Sequence, residues 1–502
     1  MDPKLQPSGT VPVMNPPPQP PPPTPPGQET VVVPPQGVPV QNNPFVPTGV
    51  SPGGARPLSP PGVGGVSQLP RRLLMIFVFL MLLVALGAGG LFVWNLIAGS
   101  KEVKLTYWGL WEEESVMHTV IADFEAKNPK IKISYVKQSQ QQYRERLTNA
   151  INREEGPDVF RFHNTWVPML KNALSPVPKT VMSPSEFSST FYPVMASDLV
   201  ASTIIYGIPL MYDGLGLYIN DDMFSRKNAT PPTTWEEVLN LIPVLTERVD
   251  TTITQSAIAL GTTNNVENFS DIMALMFMQN QAHLNNLVGK EAEETLIFYR
   301  NFADTNNQYY TWNESLDNSI YAFATGKVAM ILAPSWRATE IREMGKGLHF
   351  RIVPAPQLFG KNITWASYWA EGVSAKSANQ KEAWEFVKYL TSKEGAAKLF
   401  SEESKTRLFG EPYARVDLGS SLKDDQYLGA FIKQAPTAKS FPLASRTFDN
   451  GLNDHLIQYL QNAVNDVAKG AAPAAALQTA NAGFRQVFAN YGLVSGSAST
   501  GQ

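Results

Sequence analysis

The side chains of this sequence that could do chemistry are tryptophans and carboxylates near the ends of predicted strands. Ten of the 502 residues are tryptophan, and aromatic residues make up 10% of the chain. Trp108 and Trp111 follow a strand-like run, Asp213 stands at a predicted turn, and Glu371 closes an aromatic segment that begins at Trp365. An indole offers an apolar plane, and a carboxylate accepts hydrogen bonds from two hydroxyls. Such side chains suit a ligand with an apolar face and a rim of hydroxyl groups, which is the surface of a sugar.

Composition argues against several other chemistries. The chain has no cysteine, which removes disulfides, thiolate metal sites and cysteine nucleophiles. None of its five histidines has a partner at metal-ligand spacing, and no glycine-rich phosphate loop occurs in the globular part. Basic and acidic residues are interspersed, with a net charge of −3, so there is no basic stripe for nucleic acid. The sequence therefore predicts no metal, no cofactor and no nucleic-acid partner.

The first 70 residues lack the material for a core. They contain 22 of the chain's 40 prolines, four charged residues and one aromatic residue, Phe45. This composition predicts a disordered, proline-rich tail over residues 1–70, with polyproline II helix in the proline runs. From residue 101 onward the composition is that of a globular protein, and a length of about 400 residues favours two lobes over a single core.

A 26-residue stretch from Leu73 to Ala98 carries no charged side chain and follows Arg71-Arg72. As a helix it would be about 39 Å long, more than the roughly 30 Å hydrocarbon core of a bilayer. The positive-inside rule then places the tail in the cytoplasm and the C-terminal domain outside. We therefore expect a transmembrane helix over residues 72–98 and a single-pass protein of the cell membrane. A cleaved signal peptide is the alternative, although the apolar run exceeds the 7–15 residues typical of one.

The globular region alternates strand-like and helix-like segments. Val103–Trp108 alternates apolar and polar residues, Ser115 could cap a following helix, and a second strand is predicted at Ile131–Val136. A helix over residues 141–151 precedes a short strand at Asp158–Phe162. This order is typical of a parallel, doubly wound α/β sheet, in which ligands bind at the carboxyl ends of the strands.

Five local motifs occur in a fixed order along the globular region. They are LTYWGLW at 105–111, GPDVF at 156–160, YGIPLMYDGLGLYINDDMF at 206–224 followed by PPTTWEEVL at 231–239, GKVAMILAPSW at 326–336, and EGVSAKSANQKEAWEFVKYLTS at 371–392. Together they resemble the family 1 extracellular solute-binding proteins, the maltose-binding-protein-like receptors of ABC transporters. The resemblance extends from about Val103 to Phe488.

The resemblance implies an α/β, two-lobed periplasmic-binding-protein-like fold with a ligand cleft between the lobes. Residues 101–212 plus 374–425 would form lobe 1, and residues 213–373 plus 426–490 would form lobe 2. Residues 491–502 are expected to be a flexible C-terminus. The whole would be preceded by the disordered tail and the transmembrane helix.

The resemblance also implies which residues face the ligand. Trp336, ten places after Gly326, occupies the family's stacking position, and Asp213 aligns with an acidic ligand-binding residue when counted back from Asn220. Asp213 could equally be a turn residue, and Trp108 could pack between sheet and helix. Thr165 replaces an acidic residue of the maltose receptors, which argues against maltose itself. The expected ligand-binding set is Trp108, Trp111, Phe162, Asn164, Trp166, Asp213, Trp336, Tyr368, Trp369, Glu371 and Asn450, with no catalytic residue.

The implied function is the capture of a carbohydrate, of oligosaccharide size, by a membrane-tethered extracellular protein that delivers it to an ABC permease. The expected partners are therefore the sugar, the permease and the lipid bilayer. A sensor or adhesion module of the same fold, signalling to a membrane partner, is one alternative. A glycoside hydrolase is another, which would need Asp213 and Glu371 about 5–9.5 Å apart across a sugar.

Overall fold

The computed structural model describes residues 102–493 and six helical residues of the apolar stretch between Met75 and Val84. The predicted tail at 1–70, most of the predicted membrane helix at 72–98, and the C-terminus from residue 494 lie outside the described residues. Within the described residues, no helix is both long and apolar enough to cross a membrane.

Residues 103–209 follow the predicted alternation of strands and helices. The helix after the first strand begins at Glu114, one residue before the predicted cap Ser115, and no side chain caps it. The elements are β1 (Val103–Gly109), α1 (Glu114–Lys127), β2 (Ile131–Lys137), α2 (Tyr143–Asn152), β3 (Val159–His163), a 3-10 turn (Asn164–Trp166), α3 (Val167–Leu170), α4 (Pro184–Thr190), α5 (Pro193–Leu199), β4 (Val200–Ala201), β5 (Ile204–Ile205) and β6 (Ile208–Pro209).

The middle of the chain forms a second α/β unit. Its longest capped helix starts at the predicted Thr234, whose hydroxyl accepts from the Glu237 N–H while the Glu237 carboxylate accepts from the Thr234 N–H. The elements are β7 (Gly216–Asn220), α6 (Asp221–Arg226), α7 (Trp235–Leu245), β8 (Glu247–Val249), β9 (Thr252–Ile258), α8 (Phe269–Gln279), α9 (Lys290–Asn301), α10 (Ser319–Ala324), β10 (Val328–Ala333), α11 (Arg337–Met344), β11 (Phe350–Pro354) and β12 (Thr364–Trp365).

The last part of the chain is mainly helical. Its amphipathic helices were predicted from their apolar spacing, which places buried residues such as Trp384 and Leu460 on one face. The elements are β13 (Trp369–Val373), α12 (Gln380–Leu390), α13 (Lys393–Glu403), α14 (Val416–Gly419), a 3-10 turn (Ser420–Leu422), α15 (Gly429–Gln434), a 3-10 turn (Ala435–Thr437), β14 (Ala438–Lys439), α16 (Leu452–Ala468) and α17 (Pro473–Asn490).

The first sheet has the strand order β2-β1-β3-β13-β6. β1 pairs in parallel with β2 and β3, but β13 is antiparallel to both β3 and β6. The three strands that the sequence predicted to be parallel, β1, β2 and β3, are parallel, and the sheet is mixed because β13 runs antiparallel to its neighbours. The predicted boundaries also put β13 in lobe 2, whereas it pairs in the first sheet because the chain has already crossed back before Trp369. We call this sheet with α1, α2, α12 and α13 the first lobe.

The second sheet has the order β11-β7-β10-β9-β8, in which only β9 and β10 run in parallel. Helix α15 packs on β11, and α16 and α17 pack on α9. We call this sheet with its helices the second lobe. Within the described part of the chain, three segments cross between the lobes: 210–215, 366–368 and 404–428. The two α/β lobes predicted from the sequence are therefore present.

A fully buried ion cluster joins the strands of the first sheet. The Arg161 guanidinium on β3 donates to both carboxylate oxygens of Glu112 at 2.5 and 2.6 Å and to Glu371 Oε1 on β13 at 2.8 Å. The hydroxyl of Tyr107 on β1 donates to the same Glu371 oxygen at 2.9 Å. One guanidinium thus faces two carboxylates, and burial raises the pKa of Glu371 to about 7 despite the neighbouring Arg161.

We expect Glu371 to make stability depend on pH. Its pKa is about 7 in the folded protein and near 4.5 ordinarily, so the folded state retains a proton that the unfolded chain releases. The stabilisation that this proton gives is complete below pH 4.5 and is lost as the pH rises through 7, by up to about 3 kcal/mol. Chemical denaturation measures the free energy of unfolding at pH 5 and at pH 8. The difference between these two values should be smaller for Glu371→Gln than for the wild type.

Arg161→Met provides the contrast, because it leaves two buried carboxylates without their counter-ion. Its free energy of unfolding should fall by about 3–5 kcal/mol at pH 8, well beyond the effect of Glu371→Gln. Equal losses in the two variants would mean that the cluster is not organised around Arg161.

Candidate functional site

A cavity of about 440 Å³ lies between the two lobes. Its walls come from loops at the carboxyl ends of β1, β3 and β10, from the crossing segments, and from the loop at 445–447. The carboxyl ends of strands are where a doubly wound fold presents ligands. We call it the interlobe cavity. The residues that carry the argument below are Trp111, His163, Asp213, Asn268, Asp271, Trp336, Trp365, Ser367, Tyr368, Trp369, Arg407, Glu411, Ser445, Arg446 and Thr447.

Trp369 is the centre of an aromatic wall in the first lobe. Its ring contacts three others edge-on, with centroid distances of 5.4 Å to Trp111, 5.0 Å to His163 and 5.3 Å to Trp166. Trp166 is fully buried, whereas Trp111 and Trp369 are half-buried and line the cavity. Three edge-to-face contacts fix the plane of Trp369, so its orientation is set before any ligand arrives.

Trp336 stands at the second-lobe side of the cavity, after β10. Its side chain remains 38% exposed, which is unusual for so large an apolar group. The Arg337 guanidinium lies 4.1 Å from the ring centroid and that of Arg446 lies 5.9 Å from it. Both arginines also form ion pairs with Glu267. The indole is therefore positioned by cation–π contacts instead of by burial in the core.

The carboxylate of Asp213 ties the first crossing segment to the end of β10. It accepts from the Gly214 N–H at 2.7 Å, the Ser335 N–H at 3.0 Å and the Ser335 hydroxyl at 3.0 Å. Burial nevertheless raises the pKa of Asp213 to about 7, because these donors only partly replace the lost water. Asp213 lies in an extended crossing segment at the cavity, and the structure has no turn at this position.

Asp271 is a second buried carboxylate at the cavity, and the sequence analysis missed it. Its oxygens accept from the Trp365 indole N–H at 2.9 Å and the Ser445 N–H at 3.1 Å, and burial raises its pKa to about 6. A signal was available, because Asp271 is the one charged residue in the largely apolar helix α8. Arg407, Glu411 and Arg446 were also missed, since they lie on loops without a local pattern.

His163 is a buried polar residue of the cavity wall. Its Nδ1 lies 2.8 Å from the Thr165 hydroxyl and its Nε2 lies 3.1 Å from the Ser367 hydroxyl. Burial lowers the pKa of His163 to about 3, so the imidazole is neutral at physiological pH. His163 is absent from the expected ligand-binding set, which includes its neighbours Phe162 and Asn164.

Five of the eleven expected ligand-binding residues meet at the interlobe cavity, namely Trp111, Asp213, Trp336, Tyr368 and Trp369. The other six lie outside its described lining. Phe162 and Trp166 are fully buried in the first-lobe core. Trp108 is half-buried and packs against that core, which agrees with the alternative interpretation of Trp108 as a packing residue.

The three polar residues outside the lining have other partners. Asn164 donates to the Asp198 carboxylate at 2.9 Å and accepts from the Tyr368 N–H. Asn450 is exposed and donates to Glu145 at 2.8 Å. Glu371 is the counter-ion of Arg161, so it does not face Asp213 across the cavity as the hydrolase hypothesis requires.

Two α/β lobes joined by crossing segments, with an aromatic and acidic cavity between them, define a two-lobed binding protein. The chain belongs to the bacterial extracellular solute-binding protein family, whose sequence profile matches residues 109–397. The resemblance drawn from the five motifs is therefore confirmed.

Known proteins of this kind are similar over most of the globular region. The multiple sugar-binding protein of Streptococcus mutans is 24% identical over 346 residues, which cover 64% of this chain and 79% of that protein. The sugar-binding protein MalE of Xanthomonas citri superposes with a TM-score of 0.64 at 20% identity, covering 77% of this chain and 98% of that one. The GacH receptor of Streptomyces glaucescens, solved unliganded and with acarbose, superposes with a TM-score of 0.61 at 18% identity. The match covers 78% of this chain and 100% of that one. At these identities the structural likeness shows the fold alone.

Trp365→Phe should test the environment of Asp271. The variant removes the indole N–H and leaves a buried carboxylate oxygen without that donor, which should lower the free energy of unfolding by about 1–3 kcal/mol. The loss should be larger at pH 8 than at pH 5, because Asp271 is ionised only above a pKa of about 6. Denaturant unfolding at both pH values measures it.

Trp312→Phe is the matched control. Trp312 is equally buried, but its N–H donates to the neutral amide oxygen of Asn265 at 3.1 Å. The loss in free energy of unfolding caused by Trp312→Phe should be the same at the two pH values. The same pH dependence in both variants would contradict the role given to Asp271.

Proposed function

We propose that this protein is a membrane-tethered extracellular solute-binding protein that captures a carbohydrate in the interlobe cavity for uptake by an ABC transporter. The observation that carries the proposal is the pairing of exposed indole planes with buried carboxylates in one cavity between two lobes. Indoles stack on the apolar face of a sugar ring, and carboxylates accept from its hydroxyls.

The sugar-stacking and hydroxyl-binding roles fall on five residues. Trp111 and Trp369 would contact the ligand from the first lobe, and Trp336 from the second. Asp213 and Tyr368, on the crossing segments 210–215 and 366–368, would contact it near the hinge. A cavity of about 440 Å³ has room for an oligosaccharide of a few rings, since drug-sized ligands occupy pockets of roughly 300–1,000 Å³.

The names of similar proteins support a carbohydrate ligand. The Streptococcus mutans relative is a multiple sugar-binding protein, and structural neighbours have been solved with acarbose, maltotetraose and mannobiose. These ligands differ in size and linkage. They therefore support the class of ligand for this chain, and the particular sugar is left to experiment.

A thermal-shift screen of the full-length protein tests the ligand class. The panel contains mono- and oligosaccharides, including maltotetraose, acarbose and mannobiose, with amino acids, polyamines and metal ions as controls. A sugar at 100 times its dissociation constant should stabilise the fold by about 2.7 kcal/mol. Stabilisation by the control solutes alone would overturn the proposal.

The evidence for the proposed membrane anchor is the uncharged stretch from Leu73 to Ala98 and the arginine pair before it. In cells, the full chain should remain in the membrane pellet after carbonate extraction, and protease added outside should digest the C-terminal domain. Recovery of a soluble chain shortened at its N-terminus would favour the cleaved signal peptide instead.

Trp336→Ala should weaken sugar binding by about 1–3 kcal/mol, which is roughly 5- to 150-fold in dissociation constant, because a stacking plane is lost. Isothermal titration with the best sugar of the panel measures the effect. Phe359→Ala is the control, since Phe359 is 93% exposed and lies outside the described lining of the cavity. An unchanged affinity in a folded Trp336→Ala protein would contradict the stacking role.

A further inference from the structure

A chain of hydrogen bonds runs from the start of helix α16 to the wall of the interlobe cavity. Asp449 Oδ2 accepts from Asn453 Nδ2 at 2.8 Å, and the same amide donates to the Thr165 hydroxyl oxygen at 2.7 Å. The Thr165 hydroxyl lies 2.8 Å from His163 Nδ1, and His163 Nε2 lies 3.1 Å from the Ser367 hydroxyl. All but Ser367 are buried, so water does not compete for these bonds.

The donor-to-acceptor direction of this series of hydrogen bonds is fixed by the side-chain amide of Asn453. Its Oδ1 accepts from the Ala444 N–H at 3.1 Å, and its Nδ2 faces the carboxylate of Asp449. A flipped amide would put a donor against the Ala444 N–H and an acceptor against the carboxylate, and both contacts would be lost. Asp449 itself accepts from the backbone N–H groups of Gly451, Asn453 and Asp454.

The directions of the remaining hydrogen bonds follow from counting the hydrogens that each group can donate. The Thr165 hydroxyl oxygen accepts from Asn453 through one lone pair, and its single hydrogen is available to His163 Nδ1. The Thr165 backbone N–H also points to Nδ1, at 3.4 Å. Nδ1 is therefore an acceptor, and in a neutral imidazole the proton is then on Nε2. That N–H donates to the Ser367 oxygen.

The Ser367 hydroxyl is left with one hydrogen to give. Its oxygen accepts from His163, it lines the interlobe cavity, and the described residues offer its hydrogen no acceptor. The Ser367 backbone is fixed as well, because its N–H donates to the Asp213 carbonyl at 3.0 Å. The hydroxyl hydrogen is thus free to point at a bound solute.

We propose that His163 is a positioning residue that holds the Ser367 hydroxyl as a hydrogen-bond donor to the solute, which must present an acceptor oxygen there. This inference rests on the proposed function, because it concerns the same cavity. The acceptor would be a lone pair on a hydroxyl, ring or glycosidic oxygen of the solute. The carboxylates of Asp213 and Asp271 receive donors, so Ser367 distinguishes solutes by a different group from the one those residues recognise.

The tautomer of His163 can be measured without any ligand. Full-length protein labelled with ¹⁵N-histidine gives a long-range ¹H–¹⁵N spectrum that reports both ring nitrogens, and His163→Gln identifies the signals by their disappearance. The expected result is a neutral ring with the proton on Nε2. A proton on Nδ1, or on both nitrogens, would overturn the proposal.

Variants of Thr165 test the relay. Thr165→Val removes the hydroxyl that donates to Nδ1 and should shift the ring towards a proton on Nδ1, whereas Thr165→Ser keeps the hydroxyl and should preserve the wild-type spectrum. A spectrum that Thr165→Val leaves unchanged would show that Thr165 does not set the tautomer.

Binding of the sugar that gives the largest shift in the thermal screen tests the donor. Ser367→Ala and Thr165→Val should each weaken it by about 2- to 12-fold, the range for one neutral hydrogen bond, while Thr165→Ser should restore affinity. Normal binding by Ser367→Ala would overturn the proposal. If no sugar in the panel bound, the proposed function would fail, and the ring spectrum would still decide the tautomer.

Discussion

The pairing of two crossing segments is the constraint on which the site depends. Gly214 and Ala366 form an antiparallel bridge, and the Asp213 carbonyl accepts from the Ser367 N–H at 3.0 Å. The backbones approach so closely that a Cβ on Gly214 would lie 2.2 Å from the Trp365 carbonyl oxygen. Because a glycine allows this approach, Asp213 and Ser367 enter the cavity side by side, with Trp365 and Trp369 just beyond on either side. A shift in this pairing would move every one of these side chains.

Buried charges have two different roles in this molecule. The Arg161 cluster pairs one guanidinium with two carboxylates and holds three strands of the first sheet together. At the cavity, Asp213 and Asp271 accept only neutral N–H and O–H donors, and burial raises the pKa of each. The buried oxygens Asn268 Oδ1 and Thr447 Oγ1, also on cavity residues, have no partner within the described residues. These two oxygens are placed where a hydroxyl-rich solute could donate to them.

Local patterns predicted the elements well and the partners of buried polar residues poorly. The strand at Val103, the capped helix at Thr234 and the tryptophan after β10 follow from spacing and capping, which act over a few residues. Glu371 was assigned to the ligand because it closes an aromatic run, but its partner Arg161 lies 210 residues away in sequence. Phe162 was misassigned for a related reason: the end of a strand carries side chains on both faces, and only the tertiary packing decides which face meets the cavity. Trp166, in the 3-10 turn after β3, is likewise turned into the first-lobe core by tertiary packing.

The position of the cavity residues also explains why two lobes are needed. Trp111 and Trp369 belong to the first lobe, Trp336 and Asp271 to the second, and Ser367 to a crossing segment between them. A solute that touched one lobe would bind equally well whatever the arrangement of the other, and would shift no equilibrium between arrangements. A solute that contacts both has differential affinity for the arrangement in which the walls face each other. The series of hydrogen bonds from Asp449 also joins the two sides of the cavity. Asp449 and Asn453 lie at the start of α16, whereas Thr165, His163 and Ser367 lie in the first lobe or at the crossing. The hydrogen bond from Asn453 to Thr165 therefore forms only while the two sides are in contact.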